Sequence, residues 1–230
     1  MKSPSELRIP LEAGATTTAL AYPAGAPAVG AALVLGHGAG AGQRSPFMVD
    51  FAHAISARGV DVITFNFLYT EQRRRIPDRG PLLEGCYRSV IAAVHAEVAG
   101  AKHALFIGGK SMGGRIATQV AAESRALPVA GLVLLGYPLH PPGRPTQRRD
   151  KHLPAVGRPM LFVQGTRDAF GTPTELAPVL DSIGPSASIH VVSGGDHSLK
   201  LARKDPAAQA AVYDEVQRTI VEWMRALTGK

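Results

Sequence analysis

The fold is decided by residues 104–124, ALFIGGKSMGGRIATQVAAES, in which four apolar residues lead into a glycine-rich turn and then into a helical pattern. A short apolar run bounded by glycines is typical of a buried strand, and the apolar spacing after Met112 predicts a helix over residues 112–124. Gly109 and Gly113 flank Ser111 and remove side chains that would clash in a sharp turn. The stretch therefore predicts a strand, a tight turn that carries Ser111, and a helix.

Similar short apolar runs alternate with helical patterns along the rest of the chain. The predicted strands cover residues 31–35, 60–67, 104–107, 132–135, 160–163 and 189–192, and the predicted helices cover residues 46–57, 82–98, 112–124, 174–180 and 206–227. Residues 7–11 and 16–22 are expected to add an antiparallel hairpin at the sheet edge, because the threonines at 16–18 favour extended structure. This alternation predicts an α/β fold, with a mostly parallel, doubly wound sheet and helices on both faces.

Composition narrows the class of protein. The chain has 230 residues, of which 45% are hydrophobic and 19% charged, so we expect a single domain over residues 1–230. The net charge is +7, but the sequence has no aromatic-interleaved basic stretch or zinc-finger spacing, and we expect no nucleic-acid partner. The first residues have no apolar signal segment, and the apolar stretch 129–139 is too short for a membrane span. With Cys86 as the only cysteine, we expect a cytoplasmic protein without a membrane partner.

Three residues that can form a catalytic triad follow predicted strands. Ser111 follows residues 104–107, Asp168 follows residues 160–163, and His197 follows residues 189–192. Ligands bind at the carboxyl ends of strands in open α/β sheets, and the chain order Ser, Asp, His is the one that the α/β-hydrolase fold uses. We predict Ser111 as the nucleophile, His197 as the general base and Asp168 as the acid that orients the imidazole.

Two other carboxylates compete with Asp168 for the orienting role. Asp196 adjoins His197 in sequence and is poorly directed to bond its ring, and Asp150 lies in a loop with no strand immediately before it. The sequence therefore favours Asp168.

Two loops are expected to supply the oxyanion hole. The Met112 N–H lies at the start of the predicted helix, where the positive end of the helix dipole faces a developing oxyanion. The second donor is expected in the loop Gly36-His37-Gly38-Ala39-Gly40, as the N–H of Ala39 or, as the alternative, of Gly40. His37 is interpreted as a structural residue that shapes this loop.

Other sites that these residues resemble fit less well. A phosphate-binding loop needs glycine at position 104, which is alanine, and the dinucleotide pattern from Gly36 to Ala41 has no acid after the next strand. His140, Asp150 and His152 share one loop, but their spacing matches no known metal site, and we interpret the histidines as surface residues. Cys86 is interpreted as a small buried hydrophobe. We expect no cofactor and no metal.

The motifs together resemble a known family. They are Gly36-His37-Gly38, residues 109–115, residues 136–140, residues 162–168 and Asp196-His197-Ser198. The chain resembles the small, dienelactone-hydrolase-like branch of the α/β-hydrolases from about residue 29 to residue 223. More narrowly, it is similar to bacterial relatives of the animal testis-expressed hydrolase-like proteins and of a hydrolase-like subunit of a histone acetyltransferase complex. The resemblance implies the doubly wound sheet and the same triad, although dienelactone hydrolases proper have a cysteine where this chain has Ser111.

Two features bear on the substrate. Residues 137–158 are too few for a helical cap domain, so we expect a minimal lid, an open site and short acyl or aryl substrates. Arginines after one strand and in this loop, among them Arg74, Arg75 and Arg148, are expected to border the site, where they either remain solvated or attract an anionic ester or lactone.

The predicted function is that of a serine hydrolase of the carboxylesterase or lactonase kind, acting on a small ester, lactone or thioester through an acyl-enzyme. Thioesterase and acyltransferase activities use the same residues. A noncatalytic interaction subunit that retains the fold is the alternative, and the oligomeric state stays open.

Overall fold

The computed structural model describes residues 3–229 and contains a single eight-stranded sheet. The strands follow the order β1-β2-β4-β3-β5-β6-β7-β8, in which β1 and β2 pair antiparallel with their neighbours and the remaining pairs are parallel. They are β1 (Ser5–Pro10), β2 (Thr16–Tyr22), β3 (Ala32–Gly36), β4 (Asp61–Phe65), β5 (Leu105–Lys110), β6 (Gly131–Leu135), β7 (Met160–Gly165) and β8 (Ala187–Val192).

Seven α-helices connect or follow these strands within residues 3–229. They are α1 (Pro46–Ala57), α2 (Leu68–Glu71), α3 (Gly80–Glu97), α4 (Ala99–His103), α5 (Met112–Glu123), α6 (Pro173–Ile183) and α7 (Pro206–Thr228). Five of them were predicted, with α1 at the predicted bounds. The two short helices α2 and α4 were not predicted, because four or five residues carry too little periodic pattern to be recognised. Three-residue 3-10 helices occupy Glu12–Gly14, Leu153–Ala155 and Gly184–Ser186.

The sheet is covered on both faces by apolar helix surfaces. On one face, Phe51 and Ile55 of α1 share a buried cluster with Ile220 of α7. On the other, residues of α3, α5 and α6 form a second cluster against the sheet. The central strands β3, β5 and β6 are buried at every position, which explains why they read as continuous apolar runs. The predicted doubly wound, mostly parallel sheet with helices on both faces is confirmed.

Some boundaries differ from the prediction for a physical reason. β4 ends at Phe65 instead of residue 67, and the Asn66 side chain instead accepts a hydrogen bond of 2.9 Å from the N–H of Gln43. β5 continues to Lys110, which pairs with Leu135 of β6, because glycines need no apolar side chain to remain in the ladder. Both changes bring polar residues to the carboxyl edge of the sheet.

The segment between β6 and β7 forms no cap. Within residues 136–159 the only helical element is the 3-10 turn at Leu153–Ala155, so the expected minimal lid is confirmed. No helix in the described part of the chain combines the length and the apolar character that crossing a membrane requires.

Candidate active site

Ser111 lies on a strained turn between β5 and α5. Its φ of 52° and ψ of −112° fall in a region that side chains other than glycine rarely adopt. Gly109 and Gly113 permit this turn, since a Cβ built at either position would lie 2.2 or 2.1 Å from the carbonyl oxygen of Gly36. The close approach of β3 and α5 to the turn therefore requires glycine on both sides of Ser111.

Ser111, His197 and Asp168 form an unbroken chain of hydrogen bonds. The Ser111 Oγ lies 2.8 Å from His197 Nε2, and His197 Nδ1 lies 2.9 and 2.8 Å from the two carboxylate oxygens of Asp168. Because an ionised carboxylate only accepts hydrogen bonds, Nδ1 carries the proton and Nε2 is left to accept from the serine hydroxyl. The structure thus brings together the three residues that the sequence singled out, with the ring nitrogens arranged for proton abstraction.

Asp168 is held in place by further donors. The carboxylate is 1% exposed; its Oδ1 accepts from the N–H of Phe170 at 2.8 Å and its Oδ2 accepts from Gln164 Nε2 at 2.8 Å. The phenyl ring of Phe170 stacks on the imidazole of His197, with ring centroids 4.0 Å apart and planes 26° from parallel. Orientation of the acid and of the base therefore depends on the same short loop after β7.

The two rival carboxylates have other partners. Asp196 accepts hydrogen bonds from the N–H groups of Ser198 and Lys200, which fixes the turn around His197. Asp150 forms an ion pair with Arg148. Neither carboxylate bonds the imidazole of His197 in the structure.

The predicted oxyanion donors lie next to Ser111. Ala39 and Met112 both line the cleft that contains Ser111, and a Cβ built on Gly38 would lie 3.6 Å from the Cβ of Ser111. Met112 is the first residue of α5, where the N–H has no acceptor within the helix. The positions of Ala39 and Met112 are compatible with two N–H groups converging on one oxygen.

His37 supports the loop that carries Ala39. It is fully buried, its Nδ1 donates to the carbonyl oxygen of Gly38 at 2.9 Å, and its Nε2 accepts from the N–H of Phe67 at 3.2 Å. Burial lowers the pKa of the His37 imidazole, which favours the neutral ring that these two bonds require. The expected structural role of His37 fits these contacts.

A polar network anchors the other end of the same loop. Asn66 accepts from the N–H of Gln43 and donates to Glu71 Oε1 at 3.0 Å. Glu71 Oε1 also accepts from the N–H of Thr18 at 3.0 Å, and the Gln43 amide donates to the Thr18 hydroxyl at 2.8 Å. The loop after β3 is thereby tied to β2, to α2 and to the end of β4.

Lys110 is a buried cation beside the triad. Its side-chain ammonium donates a hydrogen bond to the backbone carbonyl oxygen of His197 and lies 5.9 Å from the centre of the Phe47 ring. Burial lowers the pKa of Lys110 to about 8, although the carboxylates of Asp168 and Asp196 act in the opposite direction. The residue before the nucleophile thus contacts the segment that carries the base.

The cleft around Ser111 has a volume of about 820 Å³. Its apolar walls are formed by side chains from several loops and helices, including Phe47, Met48, Leu83, Pro138, Phe170 and Tyr213. It also contains two guanidinium-bearing residues, Arg115 and Arg149. An open, largely apolar cleft of this size accommodates a small substrate.

The three arginines named from the sequence lie elsewhere. Arg74, Arg75 and Arg148 are exposed and are not among the residues that line the cleft. Arg74 is paired with Asp78, and Arg148 is paired with Asp150.

The histidines of the segment between β6 and β7 do not converge on a shared site. His140 Nε2 lies 3.1 Å from Glu175, and His152 Nε2 lies 2.8 Å from the Thr118 hydroxyl. His140 is 5% exposed, so its interpretation as a surface residue was wrong. Within residues 3–229 no group of three or more potential ligands is arranged to hold a metal ion.

Sequence reasoning assigned no role to several residues that shape this site: Lys110, Arg115, Gln164 and Phe170. Arg149 lies in the loop whose arginines were expected to border the site. The sequence position of Arg115 could have placed it at the site, because it follows Ser111 by four residues and therefore lies one helical turn away on the same side of α5. Gln164 and Phe170 flank Asp168, but their contacts depend on how the loop after β7 folds.

A protein family and several solved structures resemble this chain. A family model described as the alpha/beta hydrolase domain matches residues 29–225. An esterase domain from Rhodothermus marinus superposes with a TM-score of 0.73 at 14% identity, covering 98% of this chain and 99% of that one. A serine hydrolase without a lid from Xanthomonas campestris gives a TM-score of 0.73 at 17% identity, with coverages of 97% and 96%. A dienelactone hydrolase from Anabaena variabilis superposes with a TM-score of 0.70 at 19% identity, covering 94% of this chain and 97% of that one. At these identities the superpositions show a shared fold.

Proposed function

This chain belongs to the alpha/beta hydrolase domain family, and on that premise we propose that it is a serine hydrolase of small esters, lactones or thioesters. Ser111 is the nucleophile, His197 the general base and Asp168 the orienting acid. The observation that carries the proposal is the continuous hydrogen-bond chain from the Ser111 hydroxyl through His197 to the buried Asp168. The single sheet that all eight strands join supports treating residues 1–230 as one hydrolase domain.

Acylation follows from the geometry of these three residues. The Ser111 Oγ attacks the substrate carbonyl carbon while His197 Nε2 takes the hydroxyl proton, and the negative charge passes to the carbonyl oxygen. The N–H groups of Met112 and Ala39 stabilise that oxyanion. When the tetrahedral intermediate collapses, the bond to the leaving group breaks and the imidazolium returns the proton to the leaving alcohol or thiol.

Deacylation repeats these steps with water as the nucleophile. His197 Nε2 removes a proton from a water molecule that attacks the acyl carbon, and the second tetrahedral intermediate expels the Ser111 oxygen, which takes the proton back. The products are a carboxylic acid and the free enzyme. Asp168 keeps the imidazole in the required tautomer in both halves and stabilises its protonated form.

The open cleft supports small substrates. Residues 136–159 form no cap over Ser111, so long acyl chains gain little apolar contact beyond the cleft itself. Short acyl and aryl esters are expected to react faster than long-chain esters. A series of 4-nitrophenyl esters of increasing chain length tests this, and a rate that rises steadily to the longest chains would contradict it.

The competing proposal is a noncatalytic interaction subunit. It rests on the narrower resemblance to the testis-expressed proteins and the histone acetyltransferase subunit, which is itself a proposal for this chain. A scaffold has no need of a strained serine and an imidazole oriented by a buried carboxylate in one cleft. The geometry therefore favours catalysis.

The deciding experiment is covalent labelling with a fluorophosphonate probe. We compare the wild type with Ser111→Ala and His197→Ala, and use Ser182→Ala as the matched control because Ser182 is exposed on α6 and bonds only its own helix. Circular dichroism establishes that each variant is folded. Labelling is expected in the wild type and in Ser182→Ala, to vanish in Ser111→Ala and to fall sharply in His197→Ala. A folded wild type that does not label would favour the interaction subunit.

A further inference from the structure

The two guanidinium groups of the cleft have no carboxylate partner among the described residues. Arg115 and Arg149 both line the cleft with Ser111, and neither forms an ion pair with any carboxylate of residues 3–229. The Arg115 guanidinium forms one side-chain hydrogen bond, a long one of 3.4 Å to Gln119. Both residues are only partly exposed, so water does not fully solvate the two charges.

Two of the nearby carboxylates are already paired, and a third, Asp50, lines the cleft but is exposed and forms no ion pair with the described part of the chain. Asp78, which also lines the cleft, is paired with Arg74, and Asp150, the chain neighbour of Arg149, is paired with Arg148. Glu84 is close enough to act electrostatically on Arg115 but does not pair with it. Arg74 and Arg148 thus pair with two of the acids near the cleft, which leaves Arg115 and Arg149 without a carboxylate partner in residues 3–229.

The two unpaired guanidinium groups destabilise the folded chain, and an anionic ligand would relieve this destabilisation. Burial lowers the pKa of Arg115, and the positive charge of Arg149 adds to this effect, so the two guanidinium groups repel each other. A desolvated charge is destabilising unless it is paired. Two guanidinium groups that share one cleft suit a carboxylate, because each planar fork can donate two parallel hydrogen bonds to carboxylate oxygens.

We propose that Arg115 and Arg149 form a carboxylate-binding subsite, and that the natural substrate of Ser111 is an ester or thioester that bears a carboxylate. This rests on the proposed function. The other cations of the cleft are less suited, because Lys110 is bonded to the His197 carbonyl and Lys200 is exposed. Arg115 follows Ser111 by one helical turn, about 6 Å along the axis, and both line the same cleft, so we expect the carboxylate within the length of a small substrate from the scissile carbonyl.

Two rigid substrate pairs test the proposal. Monomethyl terephthalate carries the carboxylate on the acyl side, and 4-acetoxybenzoate carries it on the leaving group; each is compared with its neutral carboxamide. For at least one pair, the wild type is expected to favour the anion by about tenfold or more in kcat/KM, and less at high salt. Arg115→Gln and Arg149→Gln are each expected to abolish that preference by slowing the anion far more than its carboxamide. Arg218→Gln on the exposed face of α7 is the control for loss of one charge.

A binding measurement separates this subsite from catalysis. Ser111→Ala cannot turn over its ligand, so titration calorimetry with the favoured anion and its carboxamide measures the subsite alone. Binding is expected for the anion and lost when Arg149→Gln is added. Arg115→Gln is also expected to unfold at a temperature no lower than the wild type, because it removes an unpaired charge.

The outcomes distinguish the two proposals. Labelling of Ser111 and hydrolysis of neutral esters, with no preference for the anion in either pair, would overturn the subsite and leave the serine hydrolase standing. Failure of Ser111→Ala to bind any of the carboxylates also overturns the subsite. A wild type that binds the anion through Arg149 but neither labels nor hydrolyses would retain the subsite and overturn the hydrolase.

Discussion

The ammonium of Lys110 donates a hydrogen bond to the backbone carbonyl oxygen of His197, so the residue before the nucleophile is attached to the residue that activates it. This contact links the end of β5 to the loop after β8 across β6 and β7. Lys110 is 9% exposed and pairs with no carboxylate among the described residues. We infer that the charged Lys110 side chain holds the backbone of His197 in position, and that burying this charge lowers the stability of the fold.

That loss of stability predicts a pH dependence of unfolding. In the folded chain the pKa of Lys110 is about 8, below its ordinary value of 10.5, so between these pH values the unfolded chain binds more protons. The penalty is fully present below about pH 8 and is relieved as the pH rises to about 10.5. Lys110→Met has no such group, and its stability relative to the wild type is expected to fall by as much as about 3 kcal/mol over this range.

Urea unfolding of both proteins between pH 7 and pH 10.5 measures this difference, in the window set by the two pKa values of Lys110. Lys102→Met is the control, because Lys102 is exposed on α4 and no pH-dependent difference is expected there. A difference between Lys110→Met and the wild type that stays constant over the whole range would contradict the burial argument.

Asp168→Asn is expected to lower kcat by about 10³- to 10⁴-fold with little change in KM, because an amide cannot accept the Nδ1 proton in the same way and the imidazole loses its tautomer. Asp196→Asn keeps an oxygen that accepts from Ser198 and Lys200, so its kcat is expected to fall by less than about tenfold. Steady-state hydrolysis of a short 4-nitrophenyl ester measures both. The reverse order of effects would make Asp196 the orienting acid.

The sequence predicted the helices and strands whose apolar residues recur at regular spacing, and the site residues that follow strand ends. Ser111, Asp168 and His197 were found because each lies where a parallel strand ends, and such positions meet at one edge of the sheet. Arg115 was missed, and Arg149 was expected at the site only as one arginine of the loop between β6 and β7. Arg74 and Arg148 were named for substrate binding although they pair with Asp78 and Asp150. These pairs join residues four and two positions apart, but which cations line the cleft depends on how separate loops pack together.

Gln164 is expected to act as a positioning residue for Asp168. It is fully buried; its amide nitrogen donates to Asp168 and to the carbonyl oxygen of Gly171, and its oxygen accepts from the N–H of Tyr137 at 2.8 Å. Gln164→Met removes one donor to Asp168 and the partner of the Tyr137 N–H and of the Gly171 carbonyl, and it is expected to cost about 1–3 kcal/mol of stability. It should also lower kcat about tenfold, since Asp168 orients the imidazole less well.

The two effects of Gln164→Met are measured by urea unfolding and by ester hydrolysis under conditions where the variant is folded. A purely structural role predicts normal kcat for the folded fraction, whereas a positioning role predicts reduced kcat with unchanged KM. Gln147→Met, at an exposed position, is the matched substitution and is expected to change neither quantity.

The glycines of the turn at Ser111 give the sharpest prediction for the fold. In Gly113→Ala the new Cβ would lie 2.1 Å from the carbonyl oxygen of Gly36, a backbone atom that cannot move without displacing β3 and the loop that carries Ala39. We expect a loss of stability of about 3 kcal/mol or more, or no folded protein, and loss of probe labelling.

Gly85→Ala is the control, because Gly85 lies within α3 and its nearest neighbouring atom is 4.0 Å away. That variant is expected to gain about 0.5–1 kcal/mol from helix propensity. Thermal unfolding of the two variants side by side measures the contrast, and a Gly113→Ala protein that folds and labels like the wild type would mean that β3 and α5 do not approach each other as closely as the structure shows.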